Sequence, residues 1–149
     1  MQRAVLPTHQ AAAGHAGGAR RGQALVEMGM VVVLLFTLAL GILEFGRAWM
    51  ILNVITHAAG DGARAASLDS NRDGSGKIVD ATPIQNLVLG EIGTVMDTST
   101  LTSPSVAQGA VGGIPVVTVT VNGSVPYLTG LFGTNFTVAR AVTFRDEGK

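Results

Sequence analysis

The sequence predicts an α+β fold in which a long N-terminal helix is followed by a short helix and a small antiparallel sheet. Three observations predict it. Residues 28–43 form an uncharged apolar run, residues 84–96 carry apolar side chains at helical spacing, and two later segments alternate apolar and polar residues as strands do. A chain of 149 residues has room for one modest domain besides the long helix.

The composition points away from an ordinary soluble protein. Charged residues make up 13% of the chain, about half of the usual share of ~25%, and the mean hydropathy is +0.41. Before residue 23 the only charges are Arg3, Arg20 and Arg21. The rest of the chain is acidic overall, so no nucleic-acid partner is expected. The chain has no cysteine, which excludes disulfides and thiolate metal sites.

Residues 1–22 form a basic segment rich in Ala and Gly, without an apolar period, and we interpret them as a cytoplasmic leader. The uncharged run at residues 28–43 is bracketed by Glu27 and Glu44. As a helix it would extend about 24 Å, slightly less than the ~30 Å hydrocarbon core of a bilayer, so its flanks must help it to span. Arg20 and Arg21 favour a cytoplasmic N-terminus and an exported C-terminal domain.

Beyond the run, the helix that starts at Gln23 is predicted to leave the membrane, become amphipathic and end near residue 68. Residues recurring at spacings of three and four define the predicted inner face: Phe45, Trp49, Leu52, Thr56, Ala59 and Ala63. Glu44 precedes Arg47 by three residues, an order that favours an ion pair on a helix surface. Gly60 and Gly62 fit either a close approach between helices or a weak point of the helix.

Residues 69–149 are predicted to form a small exported α+β domain. After a polar loop, Thr82, Pro83 and Gln85 have the pattern of a helix start: a hydroxyl N-cap, a proline, and a side chain able to reach back. The apolar stripe of this second helix is Ile84, Leu87, Val88, Ile92, Val95 and Met96. Strands are predicted over residues 115–125 and 136–144, with a third over 101–111 because two strands alone are marginally stable.

Glu27 stands five residues after Gly22, at the entrance of the apolar run. An ordinary secretory signal has its apolar stretch before the cleavage site and no acid at the entrance of that stretch. Here the expected cleavage site lies on the cytoplasmic side, ahead of the apolar run, as in a prepilin. A carboxylate at the edge of hydrocarbon is costly without a partner, and a new amino terminus at Gln23 of a neighbouring subunit would supply one. Alternatively, Glu27 lies at headgroup level and is favoured by the helix dipole.

The pieces RGQALVE, GILEFGRAW and DGARAA lie within residues 21–66. This stretch resembles the TadE-like family of minor pilins or pseudopilins of the tight-adherence, Flp-type pilus system. The resemblance implies a single membrane helix and a leader removed by a prepilin peptidase between Gly22 and Gln23. It assigns Glu27 the role of the family's fifth mature residue. Related pilins often carry an aromatic residue beside that glutamate, where this chain has Met28.

The resemblance also implies a location and partners. The chain would be a single-pass protein of the bacterial inner membrane, with its C-terminal domain periplasmic or extracellular and a possible place in the pilus. Implied partners are the prepilin peptidase, other minor pilins and the major pilin, the inner-membrane assembly platform and membrane lipid. Neither an enzymatic activity nor a required cofactor is implied, and the sequence does not separate a minor from a major pilin role.

Residues 69–80 have a second pattern. Asp69, Asn71, Asp73 and Asp80 fall at positions 1, 3, 5 and 12 of a calcium loop, with Gly74 at the sharp turn. Position 12 is Asp rather than the longer Glu, and position 8 is a glycine. The loop therefore fits either a Ca²⁺ site or a solvated turn rich in Asx and Gly residues.

Two other classes of function compete with the pilin interpretation. An uncleaved single-pass membrane protein with an exported, calcium-dependent binding domain would keep its Met1 terminus. An enzyme is disfavoured because His57 is the only histidine after the leader, so one subunit holds neither a histidine metal cluster nor a Ser-His-acid triad. His57 is predicted to lie on the helix surface, while Trp49 and Tyr127 fit either interfacial anchors or core residues.

Overall fold

The computed structural model describes residues 16–68 and 70–147, with side chains from Gly22 onward. It confirms the α+β class. The order of elements is helix α1 (Ala16–Leu68), helix α2 (Thr82–Gly93), a 3-10 turn (Thr98–Thr100), and strands β1 (Ser105–Val111), β2 (Ile114–Pro126) and β3 (Asn135–Arg145). The chain divides into two compact units, Met1–Leu40 and Gly41–Lys149, and helix α1 continues through the boundary.

The described part of the N-terminal unit consists of helix α1 alone, and its side chains from residue 22 to 39 are all exposed. The segment Gly22–Leu68 includes an 18-residue window with a mean hydropathy of 2.4, long and apolar enough to cross a membrane. Within the run, the Thr37 hydroxyl donates to the Val33 carbonyl oxygen at 2.9 Å, so its polar group is satisfied inside the helix. The helix begins at Ala16, seven residues before Gln23, where the prediction began it.

The C-terminal unit holds one hydrophobic core. Helix α1 contributes mostly small side chains to it, and these residues are buried: Ile51, Ile55, Ala58, Ala59, Ala63 and Ala66. The predicted inner face was therefore only partly correct, since Ala59 and Ala63 are buried while Phe45, Trp49 and Thr56 are exposed. Small residues occupy the buried face because the helix lies close to the elements that cover it.

The sheet is antiparallel in the order β1-β2-β3, which confirms the two predicted strands and the third. Strand β2 lies in the centre, where Val119 is opposite Val106 of β1 and Val142 of β3. The predicted alternation is confirmed along β2, whose valines at positions 117, 119, 121 and 125 are fully buried. The apolar face of the sheet thus covers the core, as the period of two requires.

Helix α2 buries Ile84, Val88 and Ile92. Its start differs from the prediction, because the N-cap position is Ala81 and no side-chain cap is formed there. The Asp80 carboxylate instead accepts a hydrogen bond from the Thr82 amide at 2.8 Å. The Gln85 side chain donates to the Pro104 carbonyl oxygen at 2.9 Å rather than reaching back. The predicted capping box was wrong because the helix starts one residue earlier, with Ala81 at the N-cap, and because the Gln85 side chain binds Pro104.

Two glycines allow close contacts between elements. A Cβ atom on Gly62 of α1 would collide with a methyl group of Val88 on α2, and it would come within 3.7 Å of Val119. The backbone of Leu101 packs against Gly123 of β2, where a Cβ atom would lie 2.8 Å from the Leu101 Cα. The absence of side chains at these two positions therefore sets how closely the elements approach.

Candidate functional site

The residues predicted to direct processing and assembly lie on the exposed N-terminal part of helix α1. Gly22, Gln23 and Glu27 are all exposed, and Gln23 and Glu27 are four residues apart, on adjacent turns of one helix face. Among the residues that the structure describes, no hydrogen bond or ion pair engages the Glu27 carboxylate. The predicted cleavage point lies within the helix, and leader residues 1–15 lie outside the described residues.

A polar site occurs at the end of the apolar run. The carboxylate of Glu44 is buried, with 3% of the residue exposed. One of its oxygens accepts a hydrogen bond from the Leu128 amide at 2.6 Å. The other accepts from the Thr129 amide at 3.3 Å and from the Thr129 hydroxyl at 3.4 Å. Hydrogen bonds to a charged acceptor are stronger than those between neutral groups. Glu44 therefore fixes residues 128 and 129 to helix α1.

Arg47 contacts the same part of the chain one turn further along the helix. Its guanidinium donates a hydrogen bond to the Pro126 carbonyl oxygen at 2.8 Å. The sequence predicted a surface ion pair between Glu44 and Arg47. In the structure both side chains instead bind residues 126–134, which we call the connector loop. The sequence contained one indication of these contacts. The backbone amides of a connector between two strands need hydrogen-bond acceptors, and polar side chains of the helix can supply them.

The connector loop joins β2 to β3 and contains no charged residue. Its ends are held together by a hydrogen bond from the Tyr127 amide to the Thr134 carbonyl oxygen at 3.1 Å. The half-buried Tyr127 ring packs against the rings of Phe132 and Phe136, with centroid separations of 6.4 and 5.4 Å. Leu128, Leu131 and Phe132 are exposed. The loop is therefore ordered by its backbone while its apolar side chains face outward.

The segment predicted as a calcium loop forms a tight turn closed by an isolated bridge between Arg72 and Ile78. One oxygen of the Asp73 carboxylate accepts from the Ser75 amide, the Ser75 hydroxyl and the Lys77 amide at 2.6 to 2.9 Å. These bonds, with the Ser75 hydroxyl contributing most, hold the pKa of Asp73 below its usual value. Hydrogen bonds from Thr82 likewise lower the pKa of Asp80.

Of the four predicted calcium ligands, Asp73 and Asp80 use carboxylate oxygens as hydrogen-bond acceptors, within the turn and at the start of α2 respectively. Asp69 lies outside the described residues. Asn71 accepts a hydrogen bond from the Val79 amide through its backbone carbonyl at 3.0 Å. Within the described ranges, no group of three or more His, Cys, Asp or Glu residues is arranged to hold a metal ion. Calcium binding by this loop stays a prediction.

A second polar cluster, which the sequence did not predict, joins this turn to the rest of the C-terminal unit. Arg72 forms a salt bridge with Asp146 at 2.8 Å, and the two side chains are only 8% and 11% exposed. Arg72 also donates to the carbonyl oxygens of Ala66 and Gly76, each at 2.9 Å. Gln108 of β1 donates to Asp146 at 3.0 Å. The cluster thus links the end of α1, the turn, the sheet and the C-terminal segment.

The remaining candidate residues of the sequence lie on the surface. His57 is exposed, as predicted. Trp49 is exposed and stacks on Phe45, with ring centroids 6.3 Å apart. Trp49 is therefore not a core residue, and its role as an interfacial anchor stays a prediction.

Comparison with known proteins supports the sequence interpretation. Residues 22–64 match the family model described as TadE-like protein, which confirms the resemblance to that family over this segment. The family is a structural one associated with the Tad pilus. No curated protein and no solved structure matches the chain.

Proposed function

We propose that this chain is a TadE-like minor pilin or pseudopilin, a structural and assembly subunit of a type IV (Tad/Flp) pilus machinery acting in adherence or secretion. The observation that carries the proposal is the coincidence of two findings in one segment. Residues 22–64 match the TadE-like family, and the same residues begin with an exposed apolar helix that has an acid at its entrance.

The first step of the proposed mechanism is anchoring. The exposed apolar helix, with residues 28–43 at its centre, holds the precursor in the bacterial inner membrane. Arg20 and Arg21 keep the N-terminus cytoplasmic, so that the C-terminal unit is exported. The exposure of every side chain from residue 22 to 39 supports this step, because such a surface is stable in lipid and not in water.

The second step is processing and register selection. A prepilin peptidase removes the leader between Gly22 and Gln23, and the new amine of Gln23 pairs with Glu27 of a neighbouring subunit. Glu27 is exposed and, in the described part of the chain, has no partner of its own. A carboxylate at the edge of hydrocarbon is costly unless it has a partner. An intermolecular partner for Glu27 would offset such a cost and favour one register.

The partners of the proposed subunit follow from these two steps. The peptidase acts on the precursor, and the inner-membrane assembly platform receives the processed chain. Other minor pilins and the major pilin then pack against the apolar part of helix α1, and membrane lipid surrounds it before assembly.

The proposal is tested by the mass of the membrane-extracted protein from its native host, with and without the candidate prepilin peptidase. We expect residues 1–22 to be lost only when the peptidase is present. A matched pair of variants sharpens the test, because a Cβ atom at Gly22 or at Gly29 meets nothing within 4 Å. Gly22→Val should therefore retain the leader, whereas Gly29→Val should be processed normally.

A full-length terminus in both strains would instead support an uncleaved single-pass protein with an exported, calcium-dependent binding domain. If processing is found, Glu27→Ala tests register selection. The variant should be cleaved like the parent chain but should fail to enter assembled pili. Normal assembly of Glu27→Ala would refute the pairing of Glu27 with the amine of Gln23.

A further inference from the structure

We infer that the connector loop, residues 126–134, inserts its apolar side chains into the interfacial layer of the same bilayer that holds residues 28–43. The exported unit would then contact lipid through a surface of its own, in addition to the anchor helix. This inference rests on the membrane anchoring proposed above and adds to it a specific lipid-contacting surface.

The first argument is the position of the loop on helix α1. Glu44 directly follows the uncharged run in the sequence, and it accepts hydrogen bonds from the amides of Leu128 and Thr129. The ring of Phe132 lies beside Gly41, 3.5 Å from the place of a Cβ atom there. The loop is therefore fixed against the part of α1 where the apolar run ends. Whatever depth that part of the helix has in a membrane, the loop shares it.

The second argument is the chemistry of the loop surface. Leu128 is 70% exposed, Leu131 48% and Phe132 59%. No charged residue occurs between β2 residue Val116 and β3 residue Arg140, so nothing within the loop opposes contact with lipid. The Tyr127 ring, with an apolar body and a polar hydroxyl, is of the type enriched at membrane interfaces. Exposure of these apolar side chains to water costs free energy, and insertion into lipid removes that cost.

The third argument concerns Glu44 itself. A carboxylate at the edge of hydrocarbon is costly unless it is paired or shielded. The loop amides satisfy this carboxylate, and only 3% of the residue is exposed. A loop that covers Glu44 at the membrane edge must itself contact lipid on its outer side. Because the run of 16 residues measures only about 24 Å against ~30 Å of hydrocarbon, the helix residues next to the loop also lie near the interface.

The chain has no cysteine, so single-cysteine variants can report the depth of chosen positions. Leu131→Cys tests the loop, and Leu35→Cys reports the apolar run. Val111→Cys is the matched control, because Val111 is an apolar residue, 65% exposed, at the β1–β2 turn. The thirteen residues of β2 separate this turn from the loop, which corresponds to about 40 Å along an extended strand.

The full chain with one labelled cysteine is reconstituted in phosphatidylcholine vesicles. Fluorescence quenching is measured with lipids that carry a nitroxide near the headgroup, for positions 131 and 111, and with lipids that carry it deep in the acyl chain, for positions 35 and 111. We expect the labels at positions 35 and 131 to be quenched at least twofold more than the label at 111. Quenching at 35 but not at 131 would overturn the inference and leave the anchoring proposal intact. Absence of quenching at both positions would refute the anchoring proposal and the inference together.

A second copy of the chain is the other possible occupant of this surface. If unlabelled Leu131→Cys forms disulfide-linked dimers in the vesicles under mild oxidation, and the label on a separately labelled sample is not quenched by lipid, the loop is a subunit interface and the inference is wrong. Monomeric protein with a quenched label at position 131 supports lipid contact.

Discussion

At the scale of single residues, Glu44 is the clearest example of a role that depends on its surroundings. A glutamate at the end of an apolar helical run usually belongs to the solvated surface. Here the connector loop folds over it and supplies two backbone amides and a hydroxyl. The charge that ends the apolar run in the sequence therefore also fixes the loop in the structure.

Replacing Glu44 tests this role. Glu44→Ala should destabilise the C-terminal unit by about 2–4 kcal/mol, because it leaves the amides of Leu128 and Thr129 without their charged acceptor. Hydrogen exchange should become fast at these two amides while the core strands stay protected. Glu44→Gln keeps one carbonyl acceptor and should preserve part of the protection. Unchanged exchange in Glu44→Ala would show that other contacts order the loop.

Gly62 is a second residue whose role depends on its surroundings, in this case on the close packing of helix α2 against helix α1. A Cβ atom at this position collides with Val88, whereas one at Gly60 would lie 4.0 Å from the nearest Val142 methyl group. Replacing either glycine by alanine gains about 0.5–1 kcal/mol of helix propensity. We expect Gly60→Ala to be neutral or stabilising, and Gly62→Ala to cost about 1–3 kcal/mol through overpacking. Urea unfolding of the two variants measures the difference.

A double variant identifies the cause of that cost. Val88→Ala removes the colliding methyl group, so Gly62→Ala should cost less in the Val88→Ala background than in the parent chain. Equal costs in both backgrounds would place the obstacle elsewhere.

At the scale of elements, pattern and packing contribute differently. The alternating valines of β2 predicted both the strand and its buried face, because a period of two leaves only one assignment of faces. Helix α1 was harder to orient. Its exposed Phe45 and Trp49 are more apolar than its buried alanines, so hydrophobicity alone pointed to the wrong side. The buried face is chosen by how closely the sheet and α2 approach the helix.

The cluster around Arg72 is the main polar link between elements. Removal of one partner from a buried ion pair typically costs 3–5 kcal/mol, so we expect Arg72→Met to destabilise the C-terminal unit by roughly this amount. Arg72→Lys keeps the charge but cannot reach Asp146 and both carbonyl oxygens at once, and should restore only part of the loss. Thermal or urea unfolding provides the measurement.

Arg64→Met is the matched control for this prediction, because Arg64 is an exposed residue of helix α1. It should change stability by less than about 0.5 kcal/mol. An effect of Arg72→Met as small as that of the control would show that the cluster contributes little to stability.

At the scale of the whole molecule, the two units differ in what surrounds them. The core residues all lie between Ile51 and Val138, within the unit Gly41–Lys149. A fragment of residues 41–149 should therefore unfold cooperatively in urea, as followed by circular dichroism. It should also partition into the aqueous phase after detergent phase separation, whereas the full chain enters the detergent phase. Non-cooperative unfolding of the fragment would show that residues 1–40 contribute to the fold.

The sequence by itself determined the α+β class, the order of elements and the apolar run. It also determined the family resemblance over residues 21–66, of which residues 22–64 match the family model. These features follow from local periodicity and from neighbouring residues in the chain, which folding does not alter. Glu27 at the entrance of the run and Gly22, five residues before it, likewise form a pattern in the linear sequence.

Only the tertiary structure decided which residues meet across long distances in the sequence. Glu44 binds amides 84 and 85 residues away, and Arg72 pairs with Asp146, 74 residues away. From spacing alone, two contacts between neighbouring residues looked at least as favourable as these distant ones. They were an ion pair between Glu44 and Arg47, and a helix cap formed by Thr82. Local spacing cannot choose between such partners, because the choice depends on which distant backbone groups the fold brings within hydrogen-bonding distance.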